Sequence, residues 1–308
     1  MISWSHRVAK PDECAMTDIV KLLFVTKFDE LGFDALKSLL PLRKAALDHV
    51  VFLYVIERER VSMHRGVGYQ KDEEIKLRET ANIRFIDWAE NLYEQGMEVG
   101  VYIVVGGMVS EVIKAAKKEE SDLIVIGRSQ KGILEQLYSG SDVTELLRRA
   151  STPVLVYKYR QENGMALDQP FERPLLATDW SPASLKAVAY LKELKDVVRE
   201  INVMHVAREK ELKGASAMEV QETRKRTRRK LEDICDIFET NGIPAKAHVY
   251  VGDPVQEIER AARECGATMI AMGSSGKALW AERWIGSIPR KISEKSVRHT
   301  LLIPPDRE

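Results

Sequence analysis

The chain is poor in the residues that would mark it as extracellular, metal-bound or membrane-embedded. It has only three cysteines, Cys14, Cys235 and Cys265. They lie far apart, the count is odd and no CxxC occurs. This disfavours a disulfide framework and a zinc site, and it fits a reducing cytoplasm. Cys235 and Cys265 are expected on buried helix faces. No apolar run reaches the length of a membrane span. The opening stretch, MISWSHRVAKPDECAM, lacks the apolar core of a secretory signal and reads as a loose arm over residues 1–16. Neither sign of charge is in excess. Lys plus Arg and Asp plus Glu both number 47, so the net charge is zero, which argues against a dedicated nucleic-acid binder. No HxxxH, DxD pair or G-x-S-x-G elbow occurs. His205 has no neighbouring triad partner and is expected to pack structurally, and His248 and His299 lack metal-ligand spacing.

What is present is a repeat. With 308 residues, 44% of them hydrophobic, the chain has material for about two domains with real cores. Gly106, Gly127 and Gly140 recur at one constant offset as Gly252, Gly273 and Gly286. LLFVTKFD (22–29) corresponds to PLLATDWS (174–181), and FLYVIERE (52–59) to VMHVAREK (203–210). In the first copy the patterning predicts strands at 21–26, 50–56, 97–105, 122–127 and 153–158. Helices are predicted at 32–48, 70–95, 108–119 and near 141–150. In the second copy strands are expected at 173–178, 200–206, 244–251, 268–273 and 300–304, with helices at 182–195, 212–241, 254–265 and 287–298. Ser181-Pro182 and Asp253-Pro254 are helix-start signals. Alternating strands and helices point to an α/β fold with parallel sheets covered on both faces. The domains read as 17–158 and 173–308, joined by a Gly- and Pro-containing linker at 159–172. The run RKRTRRK (224–230) reads as a solvated helix face, because Glu219, Glu222, Glu232 and Asp233 surround it.

Chemistry concentrates in residues 272–287, MGSSGKALWAERWIGS. A short apolar strand leads into Gly273 and Gly276. Nine residues later come Gly286 and Ser287, where a helix is expected to start with Ser287 as its cap. Glycines at a strand end admit a close backbone approach, and a helix N-terminus offers unpaired N–H groups and a positive dipole end, so the two together cradle phosphate. SSGK at 274–277 is not a Walker A loop, since no Ser or Thr follows the lysine and the glycine spacing differs. Gly-x-x-Gly, nine residues, Gly-Ser resembles the ATP-binding signature of the universal stress protein family, and both copies resemble its domains from Thr17 to Pro305.

That resemblance implies two tandem doubly wound domains, each a five-stranded parallel sheet of order 3-2-1-4-5. It implies ligand binding between the first and fourth strands, at their C-terminal ends. It implies an adenine nucleotide, ATP or AMP, with or without Mg, held in the second domain. The strands that flank the site would end at Thr178-Asp179 and Met272-Gly273, Asp179 would stand at the nucleoside, and Val206 would pack on adenine. Gly273, Gly276, Gly286 and Ser287 would cradle the phosphates with Ile288 next in line, and Lys277 would reach them. Pro289 departs from the pattern by offering no N–H. In the first domain Thr26, Lys27, Val55, Gly127, Gln130, Gly140 and Ser141 occupy the matching places. Lys27 replaces the aspartate and Gln130 the second glycine, so this site is expected to be degenerate: weak for ATP, empty, or used for another ligand. The leading expectation is a nucleotide-binding stress or regulatory protein with an unidentified protein partner. A slow ATPase or phosphotransferase, and an interaction module without nucleotide, are the alternatives. No residue is assigned a catalytic role. The final strands, PVLVY (153–157) and TLLIP (300–304), are expected to pair the two domains as a pseudo-dimer, and the whole chain is expected to self-associate further.

Overall fold

The computed structural model describes residues 19–28, 31–61, 69–129, 140–159, 169–208, 214, 216–275 and 285–306. The first repeat supplies β1 (Lys21–Val25), β2 (His49–Glu57), β3 (Glu98–Gly106), β4 (Leu123–Ser129) and β5 (Val154–Tyr159). The second supplies β6 (Pro174–Ala177), β7 (Ile201–Ala207), β8 (Ala245–Val251), β9 (Met269–Gly273) and β10 (His299–Ile303). All ten form one sheet of order β3-β2-β1-β4-β5-β10-β9-β6-β7-β8. Within each repeat the neighbours are parallel and run in the expected order 3-2-1-4-5.

The repeats join where expected, through the antiparallel pair β5–β10, with Leu301 opposite Leu155, Thr300 opposite Val156 and Leu302 opposite Val154. Leu155 and Leu301 are repeat equivalents, as are Val154 with Thr300 and Val156 with Leu302. The register therefore places a pseudo-two-fold axis at the leucine pair. Each final strand covers the other's edge, which would otherwise expose unpaired backbone groups.

Strand side chains alternate between two apolar layers, as a period of two requires. Leu22, Phe24, Val50, Phe52 and Tyr54 enter one layer, and Leu23, Val25, Val51, Leu53 and Val55 the other. Helices close both faces. They are α1 (Phe33–Lys37), α2 (Arg58–Val61), α3 (Lys71–Tyr93), α4 (Met108–Lys118) and α5 (Gly140–Arg149), then α6 (Pro182–Lys192), α7 (Ala217–Thr240), α8 (Pro254–Glu264) and α9 (Ser287–Lys295). The equivalent helices α3 and α7 share four buried positions, Ala81, Phe85, Trp88 and Leu92 in one and Thr227, Leu231, Ile234 and Phe238 in the other, and α7 buries Cys235 as well.

Two local expectations are corrected. The single helix at 32–48 is instead the five-residue α1 followed by a 3-10 segment at Leu40–Ala45. Pro41 has no N–H and its ring opposes the carbonyl four residues back, so an α-helix cannot run through it. The helix at 212–241 begins at α7, where Ser216 and Glu219 form a reciprocal capping box. The segment expected as the linker, 159–172, has described residues at each end. Tyr159 closes β5, Phe171 is fully buried, and Pro170 accepts a hydrogen bond from the Thr268 hydroxyl at 2.8 Å.

Candidate nucleotide site

The chain runs outward through β6, β7 and β8 and then returns to β9 beside β6. The C-terminal ends of β6 and β9 thus flank a crevice at the point where strand order reverses. After β6, Thr178 is buried, and its hydroxyl accepts the Trp180 N–H at 3.0 Å. Trp180 takes φ 59°, an unusual value for a bulky residue, and this turns the chain sharply into α6. Ser181 caps α6, accepting the Ser184 N–H, with Pro182 at the first helical position as expected. Asp179 is half-buried on this turn. Its Oδ1 accepts the Ser181 N–H at 3.0 Å, and its other oxygen has no partner among the described residues.

Val206, at the end of β7, packs on the same apolar layer as Met272, Ala177, Ile285 and Ile288. These residues supply an apolar wall at the C-terminal ends of the second repeat's strands. Gly273 closes β9. A Cβ there would lie 2.6 Å from the Ser184 nitrogen and 2.7 Å from the Ala183 carbonyl carbon. The glycine is therefore required by the close passage of β9 under the start of α6, in addition to any service to a ligand.

The two ends of the Gly-rich loop are clipped together. Ser274 donates its N–H to the Ile303 carbonyl and accepts the Gly286 N–H, both at 2.8 Å, and Ser275 accepts the Ser181 hydroxyl at 3.2 Å. Gly276 and Lys277 lie outside the described residues. The cap of α9 is Gly286 rather than Ser287. Ser287 is the first helical residue and is exposed. With Pro289 third, only Ser287 and Ile288 bring an N–H among the helix's first three residues.

The first repeat builds the same turn with different chemistry. The Thr26 hydroxyl accepts the Phe28 N–H at 2.7 Å, and Phe28 has φ 70°. Lys27 stands where Asp179 stands, and its ammonium is 2.5 Å from a Glu57 carboxylate oxygen. The Lys27 side chain is only 10% exposed. Glu57 sits two residues beyond Val55, which is buried, as is Gly127. Gly140 and Ser141 open α5, and Gln130 lies outside the described residues. Glu57 was missed in the sequence. The signal was there, an acidic residue at the end of the adjacent strand, but only the fold makes it Lys27's neighbour.

His205 is a packing residue, as expected. It packs against Trp180 in a tilted arrangement with centroids 4.2 Å apart, and its Nδ1 lies 2.7 Å from the Thr178 carbonyl oxygen, which fixes the proton on Nδ1. His248 meets Asn202 at 2.9 Å, and His299 accepts the Lys158 N–H at 3.2 Å. Cys235 is buried on α7 as expected. Cys265 is instead half-buried at the end of α8, with its sulfur 3.9 Å from His248 Nε2. Among the described residues no group of three or more His, Cys, Asp or Glu is arranged to hold a metal, and no helix is long and apolar enough to cross a membrane.

Comparison with known proteins agrees with this architecture. A universal stress protein of Methanocaldococcus jannaschii is 28% identical over 152 residues, covering 45% of this chain and 94% of its own. One of Bacillus subtilis is 27% identical over 146 residues, covering 43% and 99%. The crystal structure of a universal stress protein from Archaeoglobus fulgidus shares the fold at TM-score 0.70 and 21% identity, covering 94% of this chain and 99% of that one. The sequence model of the universal stress protein family matches twice, over residues 20–158 and 170–304, and the chain belongs to that family as a tandem two-domain member.

Proposed function

We propose that the chain binds one adenine nucleotide, ATP or AMP, in its second domain (173–308), and that the first domain (17–158) does not bind it. The carrying observation is the contrast between two copies of one turn. Among the described residues Asp179 keeps a carboxylate oxygen without a protein partner, whereas Lys27 is already paired with Glu57. A carboxylate accepts hydrogen bonds from ribose hydroxyls or an adenine amine, and an ammonium cannot. The α9 N-terminus, with the Ser287 and Ile288 N–H groups, stands ready for phosphate. Val206 and Met272 offer the apolar surface an adenine ring needs, and the family resemblance assigns Gly276 and Lys277, which lie outside the described residues, to the phosphates. The assignment is to nucleotide binding that biases a partner-facing surface, with turnover as the competing reading.

The test is to denature the purified protein, identify the released nucleotide by mass spectrometry, and titrate the stripped protein by calorimetry. One site per chain is expected, and two equivalent sites would overturn the assignment of the first domain. A hydrolysis rate well above background would move the reading toward an ATPase.

A further inference from the structure

The cationic stretch Arg224–Lys230 stands out against its own repeat. The matching stretch of α3 is RETANIR (78–84), with two cations and one acid, yet α3 and α7 share four buried positions. Packing against the sheet therefore does not call for six cations in seven residues. Two of the six are accounted for locally. Lys230 lies over the Trp180 ring at 5.3 Å, which repeats Arg84 over Phe28 at 4.9 Å. Arg228 pairs with Glu232 at 2.9 Å. Arg224, Lys225, Arg226 and Arg229 are exposed, and among the described residues none of them forms an ion pair. The surrounding carboxylates, which made this a plain solvated face in the sequence, thus neutralise only one cation.

We propose that the solvent side of α7 centred on Lys225 and Arg229, which share one face at i,i+4 spacing, with Arg224 and Arg226 flanking them, is a docking surface for a short acidic segment of a partner protein. The charge layout selects that occupant. Seven helical residues span about 10 Å. The patch is bounded by exposed carboxylates on the same helix, Glu219 and Glu222 on one side and Glu232, Asp233 and Asp236 on the other. A long polyanion such as nucleic acid, or a planar anionic membrane, would have to lie across those carboxylates as well. A chain of zero net charge also gives a polyanion no long-range attraction. A peptide with three or four carboxylates fits within the cationic window and is kept in register by the acidic borders.

The test uses the full-length protein and a fluorescent short oligoglutamate peptide, with an oligothymidylate and phosphatidylserine vesicles as rival probes. Peptide binding at low salt is expected, weakening as salt is raised. The triple variant Arg224→Gln, Lys225→Gln, Arg229→Gln keeps good helix formers and should weaken it by at least about tenfold. Circular dichroism checks that the fold survives, and if the triple variant melts early the three single variants are read instead. No peptide binding, equal binding by the variants, or tighter binding of oligothymidylate or vesicles would each overturn the proposal.

Discussion

Asp179 and Lys27 carry opposite charges on the same turn, so single substitutions can ask what that difference does. Asp179→Asn keeps an oxygen for the Ser181 N–H but removes the charge offered to a ligand. Asp179→Lys removes both. Hydrogen bonds to a charged group contribute about 1.5–3 kcal/mol, so the lysine variant should bind nucleotide at least about tenfold more weakly. The asparagine variant should fall between it and the native chain, by calorimetry. Nucleotide affinity that ignores both changes would place the nucleoside elsewhere. Gly273 allows a separate test. Because a Cβ there meets backbone of α6 at 2.6 Å, Gly273→Ala should destabilise the fold by about 1–3 kcal/mol even without nucleotide. A shift of the urea midpoint in the nucleotide-free protein measures this, and an unchanged midpoint would mean that α6 yields easily.

Among the elements, α9 is the one whose start the proposed site assigns to phosphate. Its third residue, Pro289, is buried and leaves two N–H groups in the first three positions. Pro289→Ala adds the third donor in a helix already formed. One net hydrogen bond contributes about 0.5–1.5 kcal/mol, so nucleotide affinity should rise about 2- to 10-fold. A triphosphate should gain more than adenosine, since adenosine has nothing to place at the helix end; equal gains would detach α9 from the phosphates. The elements themselves were largely legible in the sequence, because a period of two separates the sheet layers and glycines recur at fixed spacing. The Ser181 and Asp253 caps were legible too, since each is followed directly by proline. The break at Pro41 was hidden by an apolar pattern that continues through it, and Ser216 was passed over although Ser-x-x-Glu is a visible capping box. Glu57 and the reason for Gly273 depend on neighbours 30 or more residues away, Lys27 for the first and α6 for the second. Local pattern does not encode such contacts.

At the scale of the whole molecule, the β5–β10 seam buries a charge that titrates near neutrality. Lys158, on β5, is 3% exposed, and its ammonium donates to the Ser293 carbonyl of α9 at 2.5 Å. Its surroundings come from both repeats: Arg128 on β4, Glu259 on α8, Glu294 on α9 and His299 on β10. Glu294 also accepts the Thr144 hydroxyl of α5 across the seam at 3.2 Å. Burial, with Arg128 adding repulsion, pulls the Lys158 pKa down from 10.5 to about 7, and the attraction of Glu259 and Glu294 does not offset it. The unfolded chain would hold this proton up to about pH 10.5, whereas the folded chain releases it near pH 7. Between those values the unfolded state binds more protons, so this lysine makes stability fall as pH drops from about 10.5 to about 7, and its contribution levels off below. Lys158→Met keeps an unbranched side chain of similar length without the charge. The variant should therefore gain stability relative to the native chain, most at pH 7 and below and least near pH 10. Urea midpoints of both proteins at pH 6, 7.5 and 9 measure the difference. A gain that grows with rising pH, or a uniform loss, would mean that the Lys158–Ser293 bond outweighs the cost of burying the charge and holds the two repeats together.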